Sequence, residues 1–266
     1  MQAKKSLGQN FLKNEGILKK IREKTEEILK KEQKNYKKAI KILEIGPGKG
    51  ALTKHLLETN CVVQAIEADD RLIPLLQEEF KKPLENKVFD LLHQDIREFD
   101  PKSIKDPYIL VANIPYYLTG FIFRQFLESD NQPLAIIVLI QKEVAKRIVD
   151  TKQTLLSLSV QVYGKPSILT HVSKGNFNPA PKVDSSVLVI EDINKKQFKG
   201  EHEEKRFWAL AKKAFGSKRK QLGGTIFKQM QEKDKEKLSL YTKKRPEELS
   251  VSDWLIITSC YDIDNA

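Results

Sequence analysis

The sequence predicts an α/β chain built on a parallel sheet and followed by a small all-helical domain, and two observations carry this. First, short apolar runs alternate with amphipathic stretches through about residue 150, the rhythm of strands joined by crossover helices. Second, beyond about residue 201 the strand-like runs stop and Lys- and Glu-rich helical patterns take over.

The elements follow in order. MQAKKSLGQNFLK at 1–13 reads as irregular. Residues 15–36 predict a helix, with Ile17, Leu18, Ile21, Ile28 and Leu29 along one side. Strands are predicted at 40–45, 61–67, 88–95, 108–113 and 134–141. Helices are predicted at 51–59, 70–80, 119–129 and from 142 to 149. TLLSLSVQVYG reads as a further helix. ILTHVS and SSVLVIE read as two strands able to close the sheet as an antiparallel edge. EEKRFWALAKKAFG and SKRKQLGGTIFKQM predict helices of the last domain. The polar NKKQFKGE sets the boundary, giving domains at 1–198 and 199–266.

Composition narrows the function. The 266 residues hold 47 Lys and Arg against 36 Asp and Glu, a net charge of +11. A field of that sign attracts polyanions. The two cysteines, Cys61 and Cys260, cannot build a disulfide framework, and His55, His93, His171 and His202 lack metal-ligand spacing. The sequence shows neither an apolar run near 18 residues nor a signal peptide, so a cytoplasmic protein without a membrane or metal partner is expected.

The chemistry concentrates at strand ends. EIGPGKG at 44–50 lies between the first long strand and a helix. Its glycines at 46, 48 and 50 permit a tight turn and close approach of a ligand. Glu67 ends the next strand, 21 positions after Gly46, where a carboxylate can accept both hydroxyls of a ribose. The GxGxG spacing differs from the dinucleotide GxGxxG and suits a sulfonium amino acid nucleoside better than a pyrophosphate. Asp95 ends the third strand, placed either to accept from an adenine amino group or to cap a following helical turn. Asn113 ends the fourth, at the head of NIPYYLTG. Its side-chain oxygen and the Ile114 carbonyl can both accept from one exocyclic amine and draw its hydrogens out of the ring plane. Pro115 stiffens the turn, and Tyr116 offers a flat face to a base.

These residues carry a resemblance. NIPY resembles the [DNS]PPY-type motif of amino-methyltransferases, and EIGPGKG their S-adenosylmethionine loop. KKSLGQNFL at 4–12, FNPAPKVDSSV at 177–187 and AFGSKRKQL at 214–222 are similar, in order, to motifs of the KsgA/RsmA family of ribosomal RNA adenine dimethyltransferases. The resemblance spans about residues 4–222. It implies a Rossmann-like class I S-adenosylmethionine-dependent methyltransferase sheet with a helical RNA-binding domain; separately, a monomer is expected. The implied reaction is dimethylation at N6 of two adjacent adenosines in a hairpin loop near the 3′ end of small-subunit (16S) ribosomal RNA, on an immature 30S particle. It also implies residue roles. Asn10 and Leu12 contact the methionine or sulfonium end of the cofactor, Gly46 lies beneath it, Glu67 holds its ribose, Asp95 its adenine, and Asn113 the site of transfer. Phe177 stacks on the target base opposite Tyr116. Lys4, Lys5, Lys142, Lys146, Arg147, Lys218, Arg219 and Lys220 are the expected RNA contacts.

Tyr117 stands where the family often has a second Asn, which leaves the roles of Tyr117 and Thr119 open. Erm-type large-subunit ribosomal RNA methyltransferases are the nearest rival; LGQNFL rather than an SQNF form, and KVDS rather than KVNS, favour the small-subunit family. A ribosome assembly factor acting through RNA binding, and a nicotinamide-dependent dehydrogenase, are further alternatives. The dehydrogenase is disfavoured by the glycine spacing and by the lack of a placed proton donor.

Overall fold

A computed structural model describes residues 8–217, 220–230 and 232–261. Its described residues divide into two compact units: the chain through Ala145 with Lys165–Ile193, and Lys146–Gly164 with the chain from Asn194 onward.

The first unit is a seven-stranded sheet. In chain order the elements are β1 (Phe11–Leu12), α1 (Glu15–Glu32), β2 (Lys41–Ile45), α2 (Ala51–Leu57), β3 (Val63–Glu67), α3 (Ile73–Glu79), α4 (Lys81–Glu85) and β4 (Phe89–His93). Then come β5 (Tyr108–Asn113), α5 (Thr119–Leu127), β6 (Ala135–Gln141), α6 (Lys142–Val149), α7 (Leu155–Gln161), β7 (Lys165–Val172), β8 (Phe177–Asn178) and β9 (Ser185–Glu191).

Sheet order is β4-β3-β2-β5-β6-β9-β7. The strands from β4 to β6 pair in parallel, and β9 pairs antiparallel with both β6 and β7. The edge expected to be antiparallel therefore is so. The order runs β2, β3, β4 in one direction and β5, β6 in the other, and the reversal opens a crevice beyond the carboxyl ends of β2 and β5.

The core explains why the strands read as continuous apolar runs. On one face Ile42, Val63, Ile109, Val111, Ile137 and Val189 pack with Leu18, Ile21 and Ile28 of α1 and Leu52 and Leu56 of α2. The opposite parity is buried as well: Leu43, Ile45, Leu110, Val138 and Leu188 are at most 3% exposed. A parallel sheet covered on both faces requires this. Over that second face α5 buries Ile122, Phe123 and Phe126, and the Phe126 ring meets Tyr108 edge-on.

Two departures from the sequence reading matter to the site. The N-terminal stretch is not wholly irregular: Phe11 and Leu12 pair antiparallel with Asn178 and Phe177. Two-residue strands leave no periodicity to detect. The predicted helix at 70–80 begins only at Ile73, with Pro74 in its first turn, where its missing N–H costs nothing.

The second unit contains α7, α8 (Glu201–Phe215), α9 (Glu232–Lys237) and α10 (Val251–Cys260). The boundary expected at 198/199 differs from the observed grouping because 146–164 clusters with the C-terminal residues. Tyr163 holds it there: its hydroxyl donates to Glu204, accepts from the Trp208 indole N–H at 2.9 Å, and its ring packs edge-on against Phe198. The helix predicted over 217–230 is replaced, in its described part, by single 3-10 turns at Leu222–Gly224 and Phe227–Gln229. Paired glycines are poor helix formers. The amides of Leu222 and Gly223 donate across to Lys244 and Thr242 (2.9 and 3.0 Å) rather than back along a helix.

Candidate active site

The cleft at the crevice is assembled from strand ends and from the segment before β1. Its walls include Asn10, Phe11, Leu12, Glu44, the 46–49 turn, Glu67, Asp95 and the 113–118 turn.

The glycine turn forms its floor. Gly46 has φ +68°, a value that disfavours any side chain, and a Cβ there would meet nothing within 4 Å, so the backbone faces open space. Gly48, at φ +60°, lies so close to Phe11 that a Cβ would fall 2.9 Å from the ring. Phe11 thus seats on the turn, and Lys49 places its ammonium 5.3 Å from the same ring's centre. Neither Phe11 nor Lys49 emerged from the sequence. Their contact depends on the β1–β8 ribbon bringing residue 11 across to residue 48.

Glu67 is 6% exposed at the end of β3. One carboxylate oxygen accepts from the Gly48 amide at 3.1 Å and the other from the Asp69 amide at 2.9 Å. Burial pushes its pKa up, against the Asp69 and Gly48 amides that draw it down. The carboxylate is thereby oriented by backbone, with lone pairs remaining toward the cleft. Asp69 is held in turn by bidentate bonds from Arg71 and by Gln9 at 2.8 Å, and Arg71 keeps its carboxyl well below the usual carboxylate range.

Glu44, two residues before Gly46, is 1% exposed. Its Oε2 accepts from the Thr53 hydroxyl at 2.7 Å, while Oε1 is buried without a partner. Burial pushes its pKa up to about 8, the Thr53 hydrogen bond opposing. The folded chain therefore holds a proton that the unfolded chain releases above the ordinary carboxylate range. Stability from this group is complete at low pH and is lost as pH rises from the ordinary carboxylate range through about 8. Glu44→Gln, which keeps an acceptor for Thr53 and cannot ionise, should lose about 3 kcal/mol less unfolding free energy than the unaltered chain between pH 5 and pH 8. Denaturant unfolding at the two pH values checks this; equal losses would place the ionisation elsewhere.

The NIPYYLTG turn supplies the other wall. Asn113 donates from Nδ2 to the Asn10 carbonyl at 3.0 Å, which fixes the amide so that Oδ1 is the end left to accept. Asn10 serves here through its backbone, its own side chain donating to the Gly8 carbonyl at 3.1 Å. Leu12 is buried in the cleft wall. Tyr116 is half-buried, its ring lining the cleft and its hydroxyl 2.7 Å from Ser185 Oγ. Thr119 is structural: its hydroxyl donates to the Tyr116 carbonyl at 2.9 Å and closes the turn. Tyr117 is 62% exposed, its ring beside Gly8.

Phe177 and Asp95 are also tied into the fold itself. Phe177 does not present an open face. It is 4% exposed, sits in the main core across from Leu12, and is absent from the cleft wall, because β8 turns its ring inward. Its visible contribution is to anchor the ribbon that carries Asn10 and Phe11. Asp95 lines the cleft, but it also caps the 3-10 turn Ile96–Glu98. It accepts from the Arg97 amide at 2.9 Å and from both sides of the Arg97 guanidinium, which holds its pKa down.

Half of the expected RNA contacts fall among the described residues. Lys4, Lys5, Lys218 and Arg219 lie outside the described residues. Lys142 is half-buried, while Lys146, Arg147 and Lys220 are exposed. Among the described residues there is no cluster of three or more metal-ligating side chains, and no helix is long and apolar enough to cross a membrane.

An open Gly46 floor, a ribose-ready Glu67 and a carboxyl oxygen of Glu44 without a partner among the described residues fit an amino-acid nucleoside, the chemistry of S-adenosylmethionine. Fold and cleft together define a methyltransferase of the open α/β class. More narrowly, the chain belongs to the ribosomal RNA adenine dimethylase family, which it matches over residues 1–262. It is 38% identical over 265 residues to Ribosomal RNA small subunit methyltransferase A of Dehalococcoides mccartyi (strain CBDB1), covering 96% of this chain and 87% of that one. It is 37% identical over 273 residues to the protein of the same name from Clostridium botulinum (strain Loch Maree / Type A3), covering 97% and 94%. A dimethyladenosine transferase from Plasmodium falciparum superposes with a TM-score of 0.74 at 24% identity, over 93% of this chain and 95% of that one. The 23S rRNA methyltransferase ErmE superposes with a TM-score of 0.73 at 20% identity, over 94% and 99%. At these identities the two structures speak to the fold alone.

Proposed function

We propose that this chain dimethylates N6 of two adjacent adenosines in a hairpin loop near the 3′ end of small-subunit ribosomal RNA. Membership of the family and the names of the 37–38% identical relatives support the substrate. The observation that carries the chemistry is the Asn113 amide, its nitrogen bonded to Asn10 and its oxygen turned to accept.

S-adenosylmethionine, when bound, supplies an electrophilic methyl group on a sulfonium centre. Gly46 gives it a floor, and Glu67 accepts from its ribose hydroxyls. Asp95 accepts from its adenine with whatever lone pairs Arg97 leaves. On the substrate side, Asn113 Oδ1 and the Ile114 carbonyl accept from the target amine. These two acceptors take its hydrogens out of the ring plane and free its lone pair. Positioning and matched acceptors provide the rate enhancement, without a strong base acting beforehand; the methylated amine is cationic and gives up its proton after transfer. The adenine reaches the cleft only when unstacked from its loop, and Tyr116 gives it a face to rest on. Lys142, Lys146, Arg147 and Lys220, with the basic residues outside the described segments, hold the phosphates. Binding to small subunits should weaken steeply between 50 and 200 mM salt, by about tenfold or more if only a few phosphates are contacted. A flat salt response in a filter-binding titration would remove the electrostatic part of this reading.

The test is substrate choice. Labelled methyl groups should pass to unmethylated small subunits and not to naked large-subunit RNA. The reverse preference would make this an Erm-like enzyme.

A further inference from the structure

Resting on the proposed reaction, we infer that Ser185 is a positioning residue for base transfer into the cleft: it fixes the plane of the Tyr116 ring through the phenol. Ser185 is fully buried at the first position of β9, where it pairs with Gln141 on one side and Val172 on the other. The residue before it is pinned as well. Asp184 accepts from the Lys142 amide through its carbonyl and from the Lys174 amide through its carboxylate, both at 3.0 Å. The hydroxyl of Ser185 therefore projects from a backbone with little freedom, and it meets the Tyr116 hydroxyl at 2.7 Å.

Tyr116 is tethered at both ends. Its backbone carbonyl accepts from Thr119, and the 3-10 turn following Pro115 is closed by the Leu118 amide donating to the Pro115 carbonyl at 2.9 Å. Its phenol is held by Ser185. The ring between these anchors lines the cleft beside Asn113. Tyr116 follows Asn113 in the same turn and offers a flat wall for an extruded adenine, so the angle of its ring sets the angle of the base stacked on it. A base tilted off that plane presents its amine to Asn113 and Ile114 with the wrong geometry, which slows transfer without weakening RNA capture. The Ser-Ser pair of KVDSS is thereby divided: Ser185 serves the cleft, while Ser186 bonds His171 Nδ1 at 2.8 Å.

The experiment compares Ser185→Ala, Tyr116→Phe and the double variant in methyl transfer to unmethylated small subunits, with thermal unfolding measured alongside. Tyr116→Phe keeps the ring and removes only its hydroxyl. Each single variant should lower kcat about five- to tenfold, the weight of one hydrogen bond, with KM for subunits within twofold. The double variant should be no slower than the worse single variant. Losses that multiply in the double variant, or a Tyr116→Phe enzyme with unchanged kcat, would overturn the inference. A loss of melting temperature in Ser185→Ala with normal kcat would do the same, assigning Ser185 to packing alone. If Ser185→Ala does not fold, the kcat of Tyr116→Phe decides. Failure of the underlying reaction is distinct, because the unaltered chain would then transfer no methyl at all.

Discussion

Asn113→Ala should reduce methyl transfer about a hundred- to a thousandfold while leaving cofactor and RNA binding within a few-fold of the unaltered chain. The side chain is only half-buried and, among the described residues, its hydrogen bond is to the Asn10 carbonyl, so the described fold loses a single hydrogen bond. The reaction loses more: the acceptor that shapes the target amine disappears, and the Asn10 carbonyl no longer has a donor. Asn113→Asp is the informative companion. It keeps an acceptor, but it sets a carboxylate oxygen against the Asn10 carbonyl, so its activity should be low as well. Single-turnover transfer measured beside circular dichroism separates the two effects. Near-normal transfer by a folded Asn113→Ala chain would remove the residue from the chemistry.

Glu67→Ala should raise the dissociation constant for S-adenosylmethionine about a hundredfold or more. Hydrogen bonds to a charged acceptor contribute about 1.5–3 kcal/mol each, and a ribose offers two. The substitution also frees the amides of Gly48 and Asp69, and so loosens the turn on which Phe11 is seated. Glu67→Gln should fall between, retaining one oxygen for either the ribose or Gly48. Calorimetric titration of the cofactor checks both variants. Unchanged affinity in Glu67→Ala would mean that the nucleoside lies elsewhere in the cleft.

The strand ends were legible in the sequence because each combines a long apolar run with a polar residue at its close. Glu67, Asp95 and Asn113 stand at carboxyl ends of parallel strands, and the sheet brings them around one cleft. Asn10 was legible only through a resemblance. Its use of a backbone carbonyl depends on a crossing between residues 10 and 113 that no local pattern encodes. Glu44 was visible as an acidic residue before the glycines, but its buried, partly unsatisfied carboxyl follows from packing against Thr53 nine residues later. Phe177 shows the converse. An aromatic residue in a motif suggests a stacking surface, yet the two-residue pairing with Leu12 turns its ring into the core. In the second unit, the Gly223–Gly224 pair was a readable break signal that the surrounding Lys and Gln pattern masked.

The most direct measurement is the identity and place of the modified nucleosides after incubation with unmethylated small subunits and S-adenosylmethionine, read by mass spectrometry of mapped RNA fragments. The account predicts N6,N6-dimethyladenosine at two neighbouring positions of a loop near the 3′ end. A folded, cofactor-binding chain that leaves those adenines unmodified, or that methylates a different atom, would contradict it.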